Sequence, residues 1–200
     1  MPMPPLYFGG SFNPIHVGHL ICARAVAEKA GFEKVILIPC AQPPHKQGAE
    51  PLAGAEDRVE MCTLAAAQQG DLFEVDQIEI KRPPPSYTID TVRELKKRGL
   101  KEVHWLIGAD MLMTLPKWHE PQKLLAETKF VVMARPGATI DWNALPPEYQ
   151  KLKAAIVDAP LIDISATQIR ERLKAGKSIE FLVASDVREY LRRRRIYRAE

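Results

Sequence analysis

The chain contains 200 residues, of which 46% are hydrophobic and 26% are charged, and its formal net charge is +3. These values are ordinary for a globular protein, and this length can bury a core without disulfides or structural metals. The small positive charge does not indicate nucleic-acid binding by itself, although it suits a protein that handles anionic ligands. The three cysteines form no CxxC pair, which argues against a disulfide framework and a cysteine zinc site.

The first residues show no basic region followed by an apolar run, so no signal peptide is predicted. No stretch approaches the roughly 18 uninterrupted apolar residues that indicate a membrane span. We therefore expect a cytoplasmic protein without a membrane partner, in which the cysteines are small core residues. The sequence leaves the oligomeric state open, including a homo-oligomer.

Short apolar runs alternate with helical stretches along the chain. In chain order, the pattern predicts a strand at 6–8, a helix at 20–30, a strand at 34–40, a helix at 55–69, a strand at 73–80, a helix at 88–98, strands at 103–107 and 129–134, a last strand region over 154–157 and 161–164, and helices at 165–175 and 185–194. Such alternation favours βαβ units. The predicted fold is α/β: a Rossmann-like, doubly wound parallel sheet with helices on both faces. We expect a single domain over 1–200, of which about 165–200 form a small C-terminal helical subdomain.

In a parallel sheet of this kind, ligands bind beyond the carboxyl ends of the strands. Five polar or glycine-bearing segments follow the predicted strands, at 9–19, 43–46, 108–110, 135–137 and 165–170. We therefore expect these segments to meet at one edge of the sheet.

The first segment is the most specific. Gly9 and Gly10 are expected to adopt positive φ angles and let the backbone approach a ligand. His16 and His19 are three residues apart, so the first turn of a helix would point both rings the same way, with Gly18 leaving room for a bulky ligand. A helix N-terminus there would offer free N–H groups to phosphate. The alternative is a tight turn with packed or capping histidines.

Known phosphate motifs do not describe this segment. It matches neither GxxxxGK[ST] nor GxGxxG. Two histidines would need a third ligand to hold zinc, and the sequence offers no convincing one, so no metal-ligating residues are predicted.

The string GGSFNPIHVGH resembles the (T/S)-x-x-H-x-G-H signature of the nucleotidyltransferase α/β-phosphodiesterase superfamily. Further segments are similar to bacterial nicotinate-nucleotide adenylyltransferases: PPHK at 43–46, PSYTIDT at 85–91, GADMLMTLPKW at 108–118, ARPG at 134–137 and ISATQIR at 164–170. The resemblance covers about 6–197. Asn13 departs from it, because an Asp is common there. An Asn keeps the turn-forming ability, so we expect activity to survive.

The resemblance implies a reaction in NAD biosynthesis, in which ATP and nicotinate mononucleotide give deamido-NAD and pyrophosphate. Mg²⁺ is expected to arrive with ATP. His19 is expected at the α-phosphate and transition state, with His16 assisting the phosphates. The expected ATP-binding residues are Gly9, Gly10, Ser11, Phe12, His16, Gly18, His19, Gly108, Asp110, Ser165, Thr167 and Arg170.

Two of these assignments have structural alternatives. Ser165 and Gln168 fit a capping box that opens a helix, whether or not phosphate binds there. Asp110 could accept hydrogen bonds from ribose hydroxyls, or could instead be a helix N-cap.

The acceptor nucleotide is expected to contact His45, Lys46, Tyr87, Thr88, Trp118, His119 and Arg135. The resemblance implies that Trp118 stacks on the nicotinate ring, whereas Trp105, inside a predicted strand, is expected in the core. It also implies that backbone N–H groups near Thr88 and His119 receive the carboxylate. An amide would leave such donors unpaired, which would favour the acid.

Two kinds of alternative remain open. One is an adenylyltransferase for nicotinamide mononucleotide or phosphopantetheine. The other is a non-catalytic nucleotide sensor or RNA-binding module that uses the arginines at 192–195. Val187, Tyr190 and Leu191 define the predicted buried face of that helix, so most of these arginines are expected to face solvent, and no nucleic-acid partner is predicted.

Overall fold

The computed structural model describes residues 3–42, 53–134, 137 and 139–197, and its centre is a parallel six-stranded sheet. The strands are β1 (Leu6–Gly10), β2 (Val35–Pro39), β3 (Phe73–Val75), β4 (His104–Gly108), β5 (Lys129–Ala134) and β6 (Ile156–Asp158). Their order across the sheet is β3-β2-β1-β4-β5-β6. The predicted α/β class and doubly wound parallel sheet are confirmed.

Among the described residues, seven α-helices connect and cover the strands. They are α1 (Val17–Ala30), α2 (Ala55–Ala67), α3 (Thr88–Lys97), α4 (Ala109–Leu112), α5 (Pro121–Glu127), α6 (Ala166–Lys174) and α7 (Ser185–Arg194). Short 3₁₀ helices cover Gly70–Leu72, Leu115–Lys117, Trp142–Ala144 and Pro147–Ala155. The sequence prediction missed α4 and α5, because helices of four and seven residues are too short to show helical periodicity. In the described parts of the chain, no helix is both long and apolar enough to span a bilayer.

Side chains alternate between the two faces of the sheet. Leu6 and Phe8 of β1 face a core that also contains residues of α1, α2, α6 and α7, whereas Tyr7 between them faces the core under α3, α4 and α5. The same alternation places Leu106 of β4 on the first side and Trp105 on the second. Helices therefore cover both faces, as predicted, and Trp105 is a core residue.

The predicted strand over 73–80 is too long. β3 ends at Val75, and the carboxylate of Asp76 then accepts a hydrogen bond from the Ile78 N–H at 3.0 Å, which turns the chain. Ile78 is nevertheless buried, which explains why an apolar residue follows the strand, and Glu79 beside it is buried as well.

The predicted last strand over 161–164 is wrong. β6 ends at Asp158, and one further backbone hydrogen bond to β5 follows it, from the Ala159 N–H to the Ala134 carbonyl at 2.8 Å. Pro160 has no N–H to continue the pairing, and residues 159–165 have no regular secondary structure.

The C-terminal helices pack on the main core. Val187 and Leu191 of α7 are fully buried in the same cluster as residues of α1 and α2. Arg192 and Arg193 are exposed and pair with Glu189, so the predicted buried and solvent faces of α7 are confirmed. The single domain over 1–200, with a C-terminal helical part, stays a prediction.

The strand order reverses between β1 and β4. β1 pairs with β2 on one side and with β4 on the other, so the connections that leave β1 and β4 diverge. A crevice therefore opens where the first glycine-rich segment and the segment at 108–110 begin.

Candidate active site

A cleft of about 550 Å³ lies beyond the carboxyl ends of β1, β2, β4 and β5. Fourteen of the predicted site residues line it: Gly9, Gly10, Ser11, Phe12, His16, Gly18, His19, Thr88, Gly108, Asp110, Trp118, Ser165, Thr167 and Arg170. Tyr87 and His119 lie beside the cleft without lining it. His45, Lys46 and Arg135 lie outside the described residues.

The prediction of positive φ angles at Gly9 and Gly10 is wrong, whereas their approach to a ligand stays a prediction. They are the last two residues of β1, and neither has a positive φ angle. A Cβ atom on Gly9 would lie 2.5 Å from Cζ2 of Trp105, and one on Gly10 would lie 3.0 Å from Cζ of Phe12. A side chain at position 9 would therefore collide with the Trp105 ring, and one at position 10 would press tightly on the Phe12 ring. The left-handed residue of the segment is instead Phe12, with a φ angle of 42°.

His16 and His19 form one unit at the start of α1. His16 is the N-cap residue, and the helix begins at Val17, three residues earlier than predicted. The two rings stack with centroids 3.7 Å apart and an interplanar angle of 27°. This arrangement agrees with the prediction that both imidazoles point the same way.

A backbone hydrogen bond fixes the tautomer of His19. The His16 N–H donates to Nδ1 of His19 at 3.2 Å. Because Nδ1 accepts, a neutral His19 carries its proton on Nε2, which makes that nitrogen the donor. Phe8 and Phe12 meet the ring edge-on, at centroid distances of 6.0 and 5.3 Å. The aromatic contacts and the bond to Nδ1 together hold the ring in one orientation.

The N-terminus of α6 closes one side of the cleft. Ser165 and Gln168 form the predicted capping box, in which the Gln168 N–H donates to the Ser165 hydroxyl at 3.2 Å and the Ser165 N–H donates to the Gln168 side chain at 3.0 Å. Arg170 donates to the Asn13 carbonyl at 2.9 Å and to the Thr167 hydroxyl at 3.1 Å. A guanidinium, a hydroxyl and a helix N-terminus thus face the first segment, an arrangement that suits a polyphosphate.

Asp110 is not a helix N-cap. Gly108 is the N-cap of α4, and Asp110 is the second residue of the helix. The Asp110 carboxylate folds back over Gly108, where any Cβ atom would collide with Oδ1. The lack of a side chain at Gly108 therefore leaves room for the Asp110 carboxylate at the cleft. The binding of ribose by Asp110 stays a prediction.

The acceptor side of the cleft contains Trp118 and the start of α3. Trp118 is half-buried, and its indole N–H donates to the Thr114 hydroxyl at 3.2 Å. Thr88 is the first residue of α3, where backbone N–H groups have no hydrogen-bond acceptor within the helix. The rings of Tyr87 and His119 stack at 4.1 Å, which joins the segments that hold Thr88 and Trp118.

The sequence analysis did not single out two buried charged residues near this cleft. Arg58 is 1% exposed, and Glu79, which lines the cleft, is 4% exposed. Burial raises the pKa of the Glu79 carboxyl, while a hydrogen bond from Thr91 partly opposes that rise. The spacing of Arg58, Cys62 and Ala65, which places an arginine on the apolar side of α2, is the signal that could have drawn attention to Arg58.

Comparisons with known proteins agree with this fold. Residues 7–172 match the family described as Cytidylyltransferase-like, and the chain belongs to that family. A "Probable nicotinate-nucleotide adenylyltransferase" of Rubrobacter xylanophilus is 42% identical over 198 residues, which cover 96% of this chain and 91% of the relative. A relative of the same name from Exiguobacterium sibiricum is 40% identical, with 94% of this chain and 96% of the relative covered. Within the family, the chain groups with the nicotinate-nucleotide adenylyltransferases, as the sequence predicted.

The fold is shared with a more distant enzyme. The structure titled "Plasmodium falciparum nicotinic acid mononucleotide adenylyltransferase complexed with NaAD" superposes with a TM-score of 0.77, and 96% of each chain is covered. Only 17% of the residues are identical, so this likeness concerns the fold.

Proposed function

We propose that this chain transfers the AMP part of ATP to the phosphate of nicotinate mononucleotide, giving deamido-NAD and pyrophosphate. The observation that carries the proposal is one shared cleft. The His16–His19 pair lines it together with Trp118 and Thr88, so the groups proposed to bind the nucleotide and the acceptor face the same space. The names of the relatives support the same reaction.

The chemistry requires positioning more than proton transfer. An oxygen of the mononucleotide phosphate attacks the α-phosphorus of ATP, and the bond from that phosphorus to the bridging oxygen of pyrophosphate breaks. A phosphate monoester is already anionic near neutral pH, so it needs no general base. The protein therefore has to align the two phosphates and to stabilise charge on the transferring group.

On the ATP side, we assign His19 to the α-phosphate. Its Nε2–H can donate to a phosphate oxygen whose charge grows in the transition state, and the bond to Nδ1 holds that donor in place beforehand. His16 assists the phosphates. Arg170, with Ser165 and Thr167, receives the rest of the triphosphate, and Asp110 accepts from the ribose. Backbone groups of the segment that begins at Gly9 complete the site.

On the acceptor side, Trp118 stacks on the pyridine ring. Backbone N–H groups at Thr88 and His119 receive the carboxylate, which is consistent with the ring stack that holds these segments together. His45, Lys46, Tyr87 and Arg135 are proposed as further contacts of the acceptor.

Mg²⁺ is proposed to arrive bound to the triphosphate. Of the residues described along the cleft, Glu79 and Asp110 are the two with carboxylates, and they come from separate segments. This donor set suits an ion that keeps most of its ligands from the nucleotide and water. When bound, the ion would neutralise charge on the leaving pyrophosphate. We place the reaction in the cytoplasm.

A pyrophosphate-release assay tests the proposal. Purified protein, ATP and Mg²⁺ are combined with nicotinate mononucleotide, nicotinamide mononucleotide or phosphopantetheine. We expect turnover with the acid to exceed turnover with the amide by a large factor, because the amide leaves backbone donors unpaired. Equal rates with acid and amide, or turnover only with phosphopantetheine, would refute the proposed acceptor.

A further inference from the structure

A buried arginine connects segments from the two sides of the cleft through hydrogen bonds. Arg58 lies in the first turns of α2 and is 1% exposed. Its guanidinium donates to four backbone carbonyls: Ser11 at 2.9 Å, Cys40 at 2.6 Å, Ala41 at 2.9 Å and Ala53 at 3.1 Å. These carbonyls belong to three separate segments of the chain.

The charged guanidinium of Arg58 binds backbone carbonyl groups. None of the ion pairs between described residues includes Arg58, so backbone carbonyl dipoles compensate for its burial. A guanidinium is a rigid planar fork with five N–H donors, and this shape allows one side chain to fix several carbonyls at set angles. A lysine ammonium, a point charge with three donors, cannot span the same set.

On the ATP side of the cleft, Arg58 holds the backbone at Ser11. The Ser11 carbonyl points at Arg58, and the peptide bond that follows it is trans. Since C=O and N–H point in opposite directions in a trans peptide, the Phe12 N–H points away from Arg58. Ser11 and Phe12 both line the cleft. Arg58 therefore sets the direction of a peptide group in the nucleotide-binding segment.

The hydrogen bonds from Arg58 continue to the acceptor side of the cleft. The Ala41 N–H donates to the Ser86 hydroxyl at 3.1 Å, and the Ser86 N–H donates to the Gln42 carbonyl at 3.1 Å. Ser86 is itself buried, and it precedes by two residues Thr88, the start of α3. A continuous path of hydrogen bonds thus runs from Ser11 through Arg58 and Ala41 to Ser86.

We propose that Arg58 is a positioning residue that sets the spacing between the nucleotide-binding segment at Ser11 and the acceptor-binding segment that leads to Thr88, and so aligns the acceptor with ATP. This inference rests on the proposed adenylyl transfer. Each substrate keeps its own contacts when Arg58 is replaced, but the two substrates lose their relative alignment. In-line attack is sensitive to such errors, since a misplacement of about 1 Å can lower the rate about 100-fold.

The first test compares Arg58→Lys with a core variant of the same helix. Met61 is fully buried in α2, so Met61→Ala should lower the melting temperature without touching the hydrogen-bond path. Both proteins are assayed below their melting temperatures, with rates normalised to the folded fraction. We expect kcat of Arg58→Lys to fall by about 10- to 100-fold while both KM values change by less than about threefold. Met61→Ala should keep kcat within about twofold of wild type.

Ser86→Ala gives a second test that does not depend on the folding of an Arg58 variant. It removes the hydroxyl that receives the Ala41 N–H, and we expect kcat to fall at least about fivefold with unchanged KM values. The double variant should lose less than the product of the two single losses, because both act on one path. Wild-type kcat in Ser86→Ala, or equal kcat losses in Arg58→Lys and Met61→Ala, would overturn the inference. An inactive wild type would instead refute the proposed function.

Discussion

The imidazole rings of His16 and His19 stack 3.7 Å apart, and the His16 backbone N–H donates to Nδ1 of His19. The contact couples the N-cap of α1 to a side chain in its first turn. The result is a histidine whose tautomer and orientation are fixed before any ligand binds. A preorganised donor of this kind stabilises a transition state without reorganisation during the reaction.

Replacing His19 should therefore affect turnover more than binding. In His19→Ala, we expect kcat to fall by at least about 100-fold, with only a modest loss of ATP affinity, because the bond strengthens as charge develops. Steady-state kinetics and calorimetric titration with a non-hydrolysable ATP analogue measure the two quantities separately. Retention of most activity would remove His19 from the mechanism.

The second prediction concerns Trp118. In Trp118→Ala, we expect KM for nicotinate mononucleotide to rise by up to about tenfold while KM for ATP changes little, because a stacked ring contributes about 0.5–1.5 kcal/mol. The KM of Trp118→Phe for nicotinate mononucleotide should lie between the values of wild type and Trp118→Ala. The control is Trp142→Phe, since Trp142 lies in the 3₁₀ helix Trp142–Ala144, outside the cleft-lining set. An ATP effect as large as the mononucleotide effect would contradict the assignment.

The third prediction follows from the contact between Gly9 and Trp105. Gly9→Ala would place a methyl group 2.5 Å from the indole Cζ2, and overpacking of this kind costs about 1–3 kcal/mol of unfolding free energy. Urea unfolding measures that loss.

Trp105→Phe provides the internal control, because phenylalanine lacks the atom that collides. The double variant Gly9→Ala/Trp105→Phe should be more stable than the sum of the two single losses predicts. Strict additivity would mean that the indole ring is not what requires glycine at this position.

The fourth prediction concerns pH. Burial raises the pKa of the Glu79 carboxyl above its ordinary 4.5, so the folded protein binds this proton more tightly than the unfolded chain does. The contribution to stability is present below the unfolded pKa, and it is lost as pH rises through the higher folded pKa. Glu79→Gln removes this titration. Its stability relative to wild type should therefore improve as pH rises from about 4 to about 8.

Urea unfolding of both proteins across this pH range tests the prediction. Glu28→Gln, at an exposed position on α1, is the matched control for loss of a carboxylate. A difference between wild type and Glu79→Gln that does not change with pH would contradict the buried-carboxyl account.

The sequence by itself determined the alternation of strands and helices, the buried face of α7 and the position, after strand ends, of three segments that line the cleft, at 9–19, 108–110 and 165–170. These features are local, because a helical face repeats every three or four residues and a capping box spans four. The same locality explains the errors. Apolar residues at 78, 161, 162 and 164 resembled parts of strands, although Asp76 turns the chain and Pro160 cannot pair.

Only the tertiary structure decided which distant groups meet. Arg58 contacts Ser11, 47 positions away in the sequence, and Cys40, 18 positions away. Gly9 has no room for a side chain because the Trp105 ring of β4 packs against it. Such contacts depend on how α2 and the strands pack, and no spacing along the chain encodes them. The physical reason is that burying a guanidinium is favourable only where several carbonyls converge, and that convergence exists only after the sheet has formed.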